Sequence, residues 1–276
     1  MSNAPSPASN PAGSSRYAQE LAEFRQRISQ DGDVEAQLRA GGEPGLLGTS
    51  GIDDETLLRW LKAEKYSVSK AEKRLRAHAQ WRKEYVPLGH IEENEILPEL
   101  EADKTFLQGC DKSGRPLTVC VIKKHNKSKR VLEQTKRYIA YSLDSCIHAV
   151  DLERNPTGKT CAIFDLRGLG FDAMDRPVLQ AVFDLLQNHY PERLGKLWMY
   201  EAPTMFWTLW HLVSPFIDPE TKQKVVFVSS KSAIAEFQKA IDPSVLPTDY
   251  GGQAELIPLQ VYVKDHLPKT LVNHKG

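Results

Sequence analysis

Thr160-Cys-Ala-Ile-Phe-Asp-Leu166, then Pro177-Val-Leu-Gln-Ala-Val-Phe-Asp-Leu-Leu-Gln-Asn188, then Lys196-Leu-Trp-Met-Tyr200: between residues 160 and 200 the chain passes from a short β-prone run to a helical period and back. Pro177 sits near the first helical position, where its missing N–H costs nothing. Two strands joined through a helix pair in parallel. Outward from this stretch the alternation continues. A helix is expected over Val131 to Val150. Before it, Phe106 to Cys110 and Pro116 to Ile122 flank Asp111-Lys-Ser-Gly114, a hairpin-turn composition. After it, a strand over Val225 to Ser229 leads into a helix ending near Asp242-Pro243. The fold class is therefore α/β, a mostly parallel sheet flanked by helices, beginning after Ile91.

Upstream the period is helical from Tyr17 to about Pro87. Leu21, Phe24 and Ile28 share one face, and a Gly-rich break spans Gly41 to Gly51. A helix over Asp53 to Glu64 has acids in its first turn. Another starts near Ser67 or Ser69, candidate N-caps, and runs through Leu75, His78 and Trp81 to Tyr85. This is a small helical lobe. Residues 1 to 16, with five serines, three prolines and the single charge of Arg16, read as a disordered tail.

The 276 residues suffice for a sizeable core, and 36 basic against 36 acidic residues leave no global field to gather nucleic acid. The four cysteines, Cys110, Cys120, Cys146 and Cys161, lack CxxC spacing and are expected as free thiols. With no signal-peptide pattern at the N-terminus and no apolar run near 18 residues, a cytoplasmic address without a membrane span is expected.

Catalytic and cofactor signatures are missing: the chain holds no GxSxG elbow, HExxH helix or GxGxxG turn. Gly158-Lys159-Thr160 looks like the end of a phosphate loop, but Glu153 holds the required upstream glycine position and the segment enters a strand instead of a helix. The eight histidines are scattered, and His148 and His189 read as structural. No catalytic residue, metal ligand or cofactor is assigned.

Two segments stand out. In Pro203 to Ile217, Thr204, Thr208 and His211 form a narrow polar stripe, while Met205, Phe206, Trp207, Leu209, Trp210, Leu212 and Val213 cover the remaining circumference. That pattern suits either a buried core helix or one facing an apolar cavity on one side and a bilayer on the other. The run Lys123 to Arg130 carries five formal positive charges, as a solvated loop or a contact for an anionic membrane.

The chain resembles the CRAL-TRIO lipid-transfer family, and within it the phosphatidylinositol transfer proteins, from about Asp53 to Gly252. The resemblance rests on Leu57-Leu-Arg-Trp-Leu-Lys-Ala63, Lys65-Tyr66 and Trp81-Arg82 in the helical lobe, then on Asp111-Lys-Ser-Gly-Arg-Pro116 and Phe164-Asp-Leu-Arg-Gly168. It continues through Asn188-His-Tyr-Pro-Glu-Arg-Leu-Gly-Lys196, Pro215-Phe-Ile-Asp-Pro219, Lys224-Val-Val-Phe-Val228 and Leu246-Pro-Thr-Asp-Tyr-Gly-Gly252. It implies a helical N-terminal lobe over 17–90 and a lipid-binding domain over 91–266, whose sheet floors a deep apolar pocket, followed by a tail over 267–276.

The resemblance also implies roles. The 203–217 segment becomes a mobile gate, with Phe206, Trp207, Trp210, Val213 and Phe216 at the membrane. Glu192, Thr221 and Lys224 match the family's inositol headgroup residues, and their chemistry suits ring hydroxyls and a phosphodiester. An arginine that some members aim at the phosphate is Glu64 here, expected to turn toward Lys62 or Lys65. The choline-caging tyrosines are Leu107 and Thr118, and the hydroxyl pair of that site is Thr160 and Ala162, which implies poor phosphatidylcholine binding. The expected function is a non-enzymatic monomer that binds and exchanges one phosphatidylinositol at cytosolic membrane faces through transient peripheral contact, with a second hydrophobic ligand such as a sterol left open and no nucleic-acid partner. The alternatives are a non-transferring lipid sensor or scaffold, or a carrier of another hydrophobe: a sterol, tocopherol, retinoid or haem.

Overall fold

A computed structural model describes residues 11–30, 32–44, 46, 51–170 and 173–268, without the side chains at 11–16, 209, 212, 213 and 216. Four helices build the N-terminal lobe: α1 (Pro11–Ser29), α2 (Gly32–Ala40), α3 (Asp54–Ala63) and α4 (Val68–Tyr85). The expected tail over 1–16 is corrected at its inner end, because α1 already starts at Pro11; residues 1–10 lie outside the described residues. The predicted stripe of α1 carries the packing: Phe24 and Ile28 are buried against Leu38, Leu57, Trp60 and Leu75, with Leu21 at the margin. Asp53 caps α3, its carboxylate accepting from Thr56 N at 2.7 Å. Ser67 stands at the N-cap of α4 but makes no side-chain cap bond.

After the short α5 (Leu97–Glu101) comes the sheet with its crossovers: β1 (Thr105–Cys110), β2 (Pro116–Val121), α6 (Leu132–His148), β3 (Thr160–Asp165), α7 (Arg176–His189) and β4 (Leu194–Tyr200). Then follow α8 (Thr204–Val213), α9 (Pro219–Gln223), β5 (Val225–Val228), α10 (Ser230–Ala240) and α11 (Leu259–His266). The hairpin turn forms as its composition predicts. Asp111 accepts from the N–H groups of Ser113 and Arg115, both at 2.9 Å, and Gly114 takes the left-handed φ of 74° that closes the turn.

The strands lie in sequence order, β1 antiparallel to β2 and the rest parallel. Right-handed crossovers in that order send α6, α7 and α8 over one face, leaving the other to α10 and the stretch from Ile241 to Leu256, while α11 packs with α6 and Leu107. The α10 face is packed along its middle: Leu117, Val119, Ile163 and Trp198 are fully buried against Phe237, Leu246 and Tyr250. Leu267, expected as the start of a tail, packs instead at 9% exposure with Val86, Ile91 and Tyr138.

A buried polar network joins the two parts. Arg82 donates to Gly41 O at 2.9 Å and to Asp144 Oδ2 at 2.8 Å, and Tyr190 donates to Asp144 Oδ1 at 2.8 Å. His78 Nε2 lies 2.9 Å from Glu43 Oε2, and its Nδ1 lies 3.1 Å from Nδ1 of His189, whose ring stacks on Trp81. Burial, then the neighbouring His78 and Arg82, push His189 down to about 3; Glu43 opposes and Arg74 reinforces the shift. His189 therefore stays neutral when folded, whereas unfolded it titrates near 6.5. Its contribution is full above pH 6.5 and is lost as pH falls toward 3. We expect stability to drop by about 2 kcal/mol between pH 7.5 and 5.0 from this group, at about 1.4 kcal/mol per unit. Denaturant unfolding of His189→Gln at both pH values checks this. A slope unchanged from the parent would remove the histidine from the junction's energetics.

Candidate functional site

The residues just before β3, β4 and β5 share the amino edge of the parallel sheet. Thr160 N donates to Arg193 O at 2.8 Å, and Leu197 N donates to Lys224 O at 2.9 Å, which sets Lys159, Glu192 and Lys224 at the starts of three adjacent strands. The turn that presents Lys224 is built by α9: Asp218 caps it through Glu220 N at 2.8 Å, Pro219 opens it, and Lys224 N closes on Thr221 O at 3.1 Å. Thr221 and Lys224 thus occupy one turn, one residue-triplet apart. Glu192 sits at φ 59°, a left-handed conformation unfavourable for a side chain longer than Asn, and such strain gathers at ligand clamps.

The structure brings Glu192 and Lys224 together, with Lys224 Nζ 3.8 Å from Glu192 Oε2, and adds two residues not picked out from the sequence. Lys62 of α3 lies 3.3 Å from the same oxygen and 3.2 Å from Glu220 Oε1, which is itself 3.7 Å from Lys224. Glu192 Oε2 is buried and has no aligned hydrogen bond within the protein, only these ammonium contacts. An acceptor in that state has capacity for a hydroxyl donor. Lys62 lies inside the quoted Leu57 to Ala63 run. It stands on a side of α3 that the lobe's core leaves open, and no spacing in the sequence marks it.

Glu64 is corrected in its partner. It pairs with Arg74 of α4 instead of Lys62 or Lys65, and Arg74 also donates to Gln187 O. The positions matching the choline cage hold no free aromatic face: Leu107 is fully buried, and Thr118 donates to Cys146 Sγ at 3.1 Å. Burial pushes Cys120 up to about 12 and Cys146 up to about 11, so neither thiol is an available nucleophile at neutral pH.

The face under α6, α7 and α8 differs from its opposite. Along the central strand β3, Cys161, Ile163 and Asp165 are buried, while Thr160, Ala162 and Phe164 remain partly open; Leu197, Val225 and Phe227 on the same face are partly open too. Leu185 of α7 packs on Ile147, Tyr190, Leu143 and Trp81, so α7 rests on α6 and α4, and its Val178, Val182 and Phe183 stay half-buried. A cleft of about 320 Å³ lined by Phe106, Lys123, Arg167 and Tyr250 opens on the other face and does not touch Glu192, Thr221 or Lys224.

Over the open face lies α8. Phe206 is buried, and Phe206, Trp207 and Trp210 surround Phe227 with ring centroids 6.2, 4.5 and 5.2 Å away. Trp207 is nevertheless 39% exposed, and Thr204, Thr208 and His211 face solvent. The helix is therefore not a core helix; it covers the sheet with one side. The side chains of Val213 and Phe216 lie outside the described residues.

The basic run divides. Arg130 donates to Asp175 Oδ2 at 2.5 Å and His125 Nε2 lies 3.2 Å from the same atom, while Asp175 caps α7 through Val178 N at 3.3 Å. These contacts hold Asp175 down at about 2. Lys124 donates to Asp103 O at 2.8 Å, and Lys123 and Lys129 are exposed. We expect Lys123→Gln with Lys129→Gln to weaken binding to anionic vesicles at low salt about thirtyfold with stability intact, at roughly 1 kcal/mol per base. Arg130→Gln, in contrast, should lower Tm. Vesicle sedimentation and thermal melts separate the two, and equal vesicle binding by the double variant would leave the run a solvated loop.

Residues 100–252 match the CRAL/TRIO domain model and residues 20–77 its N-terminal domain model. The chain belongs to the CRAL/TRIO family. It is 29% identical over 225 residues to a SEC14 cytosolic factor of Candida glabrata, covering 74% of this chain and 72% of that one. It is 26% identical over 213 residues to the phosphatidylinositol transfer protein CSR1 of Eremothecium gossypii, covering 73% of this chain and 48% of the relative. The crystal structure of Sfh5 superposes with a TM-score of 0.67 at 18% identity, covering 98% of this chain and 94% of that one, a likeness of fold. No helix among the described residues is long and apolar enough to cross a membrane.

Proposed function

We propose that this chain is a lipid carrier that binds one phosphatidylinositol, shields its acyl chains against the open sheet face and exchanges it between cytosolic membrane faces. The observation that carries the reading is the alternation along β3: one face of a central strand is fully buried while the other, made of Ala162 and Phe164 beside Leu197 and Phe227, is left partly uncovered beneath α8. A central strand has no structural reason to leave apolar surface wet, and each methylene that covers it contributes about 0.8 kcal/mol. The polar cluster at Glu192, Thr221 and Lys224 lies at one end of that face, as an amphipathic ligand needs. The names of the phosphatidylinositol transfer relatives support the same ligand.

In this reading the protein works as a monomer that touches the membrane transiently through α8, uses no cofactor, catalyses no reaction and has no nucleic-acid partner. Transfer of labelled phosphatidylinositol between donor and acceptor vesicles tests it. Protein-dependent transfer supports it, and tight loading without transfer favours a sensor or scaffold.

A further inference from the structure

Besides Lys62, Lys159 is a cation at this sheet edge, among the described residues, that the family pattern does not explain. Its neighbours fix it closely: Asn155 Nδ2 donates to Lys159 O at 2.7 Å, and Arg193 Nη1 donates to Gly158 O at 2.9 Å across a glycine at φ 60°, where a Cβ would meet that guanidinium at 2.6 Å. The backbone of Lys159 is thus pinned on both sides, next to Glu192 and at the same sheet edge as Lys224.

The charges at this edge do not balance. Lys62 and Lys224 engage both carboxylates, Glu192 and Glu220, and Lys159, whose backbone adjoins Arg193 through Thr160 N, is a third cation within electrostatic reach of all four. Lys159 is half-buried and makes no ion pair among the described residues. Burial, then Lys224 and Lys62, lower its pKa, and the pull of Glu192 and Glu220 does not make up the difference. A cation held there is stabilised by one further anion, and a phosphodiester supplies one negative charge. The arginine position of the family cannot do this here, since Glu64 is an acid tied to Arg74.

We propose that Lys159 holds the lipid phosphate together with Lys224, supplying the second cation that the resemblance places, in some members, at the position of Glu64. The proposal rests on the phosphatidylinositol reading above. It also gives a use to Gly158-Lys159-Thr160 unlike that of a phosphate loop: the lysine acts from the start of a strand, and no helix follows it.

The experiment compares Lys159→Ala, Lys159→Arg and Lys224→Ala in transfer of labelled phosphatidylinositol between vesicles, with folding checked by circular dichroism. In parallel, amine acylation of the parental protein is mapped by mass spectrometry before and after loading with phosphatidylinositol. Lys159→Ala should lose transfer at least tenfold, Lys159→Arg should keep most of it, and loading should protect Lys159 from acylation. Protection in the parent holds the test open if an alanine variant fails to fold. If Lys224→Ala loses transfer while Lys159→Ala keeps the parental rate, and acylation of Lys159 is unchanged by loading, the inference is overturned and the headgroup reading stands. If neither variant changes transfer, the headgroup reading itself fails and takes this inference with it.

Discussion

Lys224→Ala and Glu192→Ala will each reduce phosphatidylinositol loading by about ten- to hundredfold, and Glu64→Ala will leave it unchanged. The first two remove one member of a cluster in which Glu192 Oε2 lies 3.3 Å from Lys62 and 3.8 Å from Lys224. A charge-assisted hydrogen bond to ligand contributes about 1.5–3 kcal/mol, and each 1.4 kcal/mol is tenfold in affinity. Lys62 makes the loss incomplete for Lys224→Ala, since one ammonium still reaches the carboxylate. Glu64 is different because its carboxylate is committed to Arg74 across α3 and α4. Its removal costs about 1 kcal/mol of stability or less for a pair that is partly exposed. Glu64→Arg will lower Tm without raising loading, because it places two guanidinium groups side by side. Lipid loading measured by native mass spectrometry, with melts on the same samples, checks all four. Parental loading by a folded Lys224→Ala protein would contradict the headgroup assignment.

Two tryptophans of α8, three residues apart, will behave oppositely. Trp207→Asp will slow vesicle exchange at least tenfold while lowering Tm less than Trp210→Asp does, because this ring, although 4.5 Å from Phe227, is 39% exposed and a carboxylate there reaches water in the closed protein. Brought against a bilayer, the same charge is costly, which places the effect in the exchange step. Trp210→Asp will lower stability by about 2 kcal/mol or more, because its ring is packed on Phe227 at 5.2 Å beside Phe206 and the new carboxylate has no partner there. Equal loss of Tm in both variants would make α8 a static cover instead of a gate.

Much of the fold was legible because hydrophobic period reports it directly. The strand over Thr160 to Asp165 and the helix over Arg176 to His189 fall within one or two residues of their expected bounds. The stripe of Leu21, Phe24 and Ile28 packs as its spacing demands. Short elements escaped for a physical reason. Helices α5 and α9 have five residues each, too few for a period to show, and α11 carries the β-prone Val261-Tyr262-Val263, which packing against Val86 and Leu107 overrides. At the site, Glu192 and Lys224 were put forward through motif likeness and lie together in the structure, whereas Lys62 beside them, and Lys159 proposed above, were not put forward, since what marks them is proximity across strand starts and between lobes. The partner of Glu64 was misjudged for the same reason. Arg74 is ten residues away in sequence and meets it only because α3 and α4 fold back on each other.

On the proposed function, one phosphatidylinositol molecule fills the open sheet face beneath α8. Mass spectrometry of the lipid extracted from the purified protein, after incubation with vesicles of mixed phosphatidylinositol and phosphatidylcholine, tests it most directly. We predict close to one phosphatidylinositol per chain in the parent, little phosphatidylcholine, and a loss of at least tenfold in Lys224→Ala. Protein that recovers no phospholipid, or that takes phosphatidylcholine in proportion to its abundance, would contradict the claim.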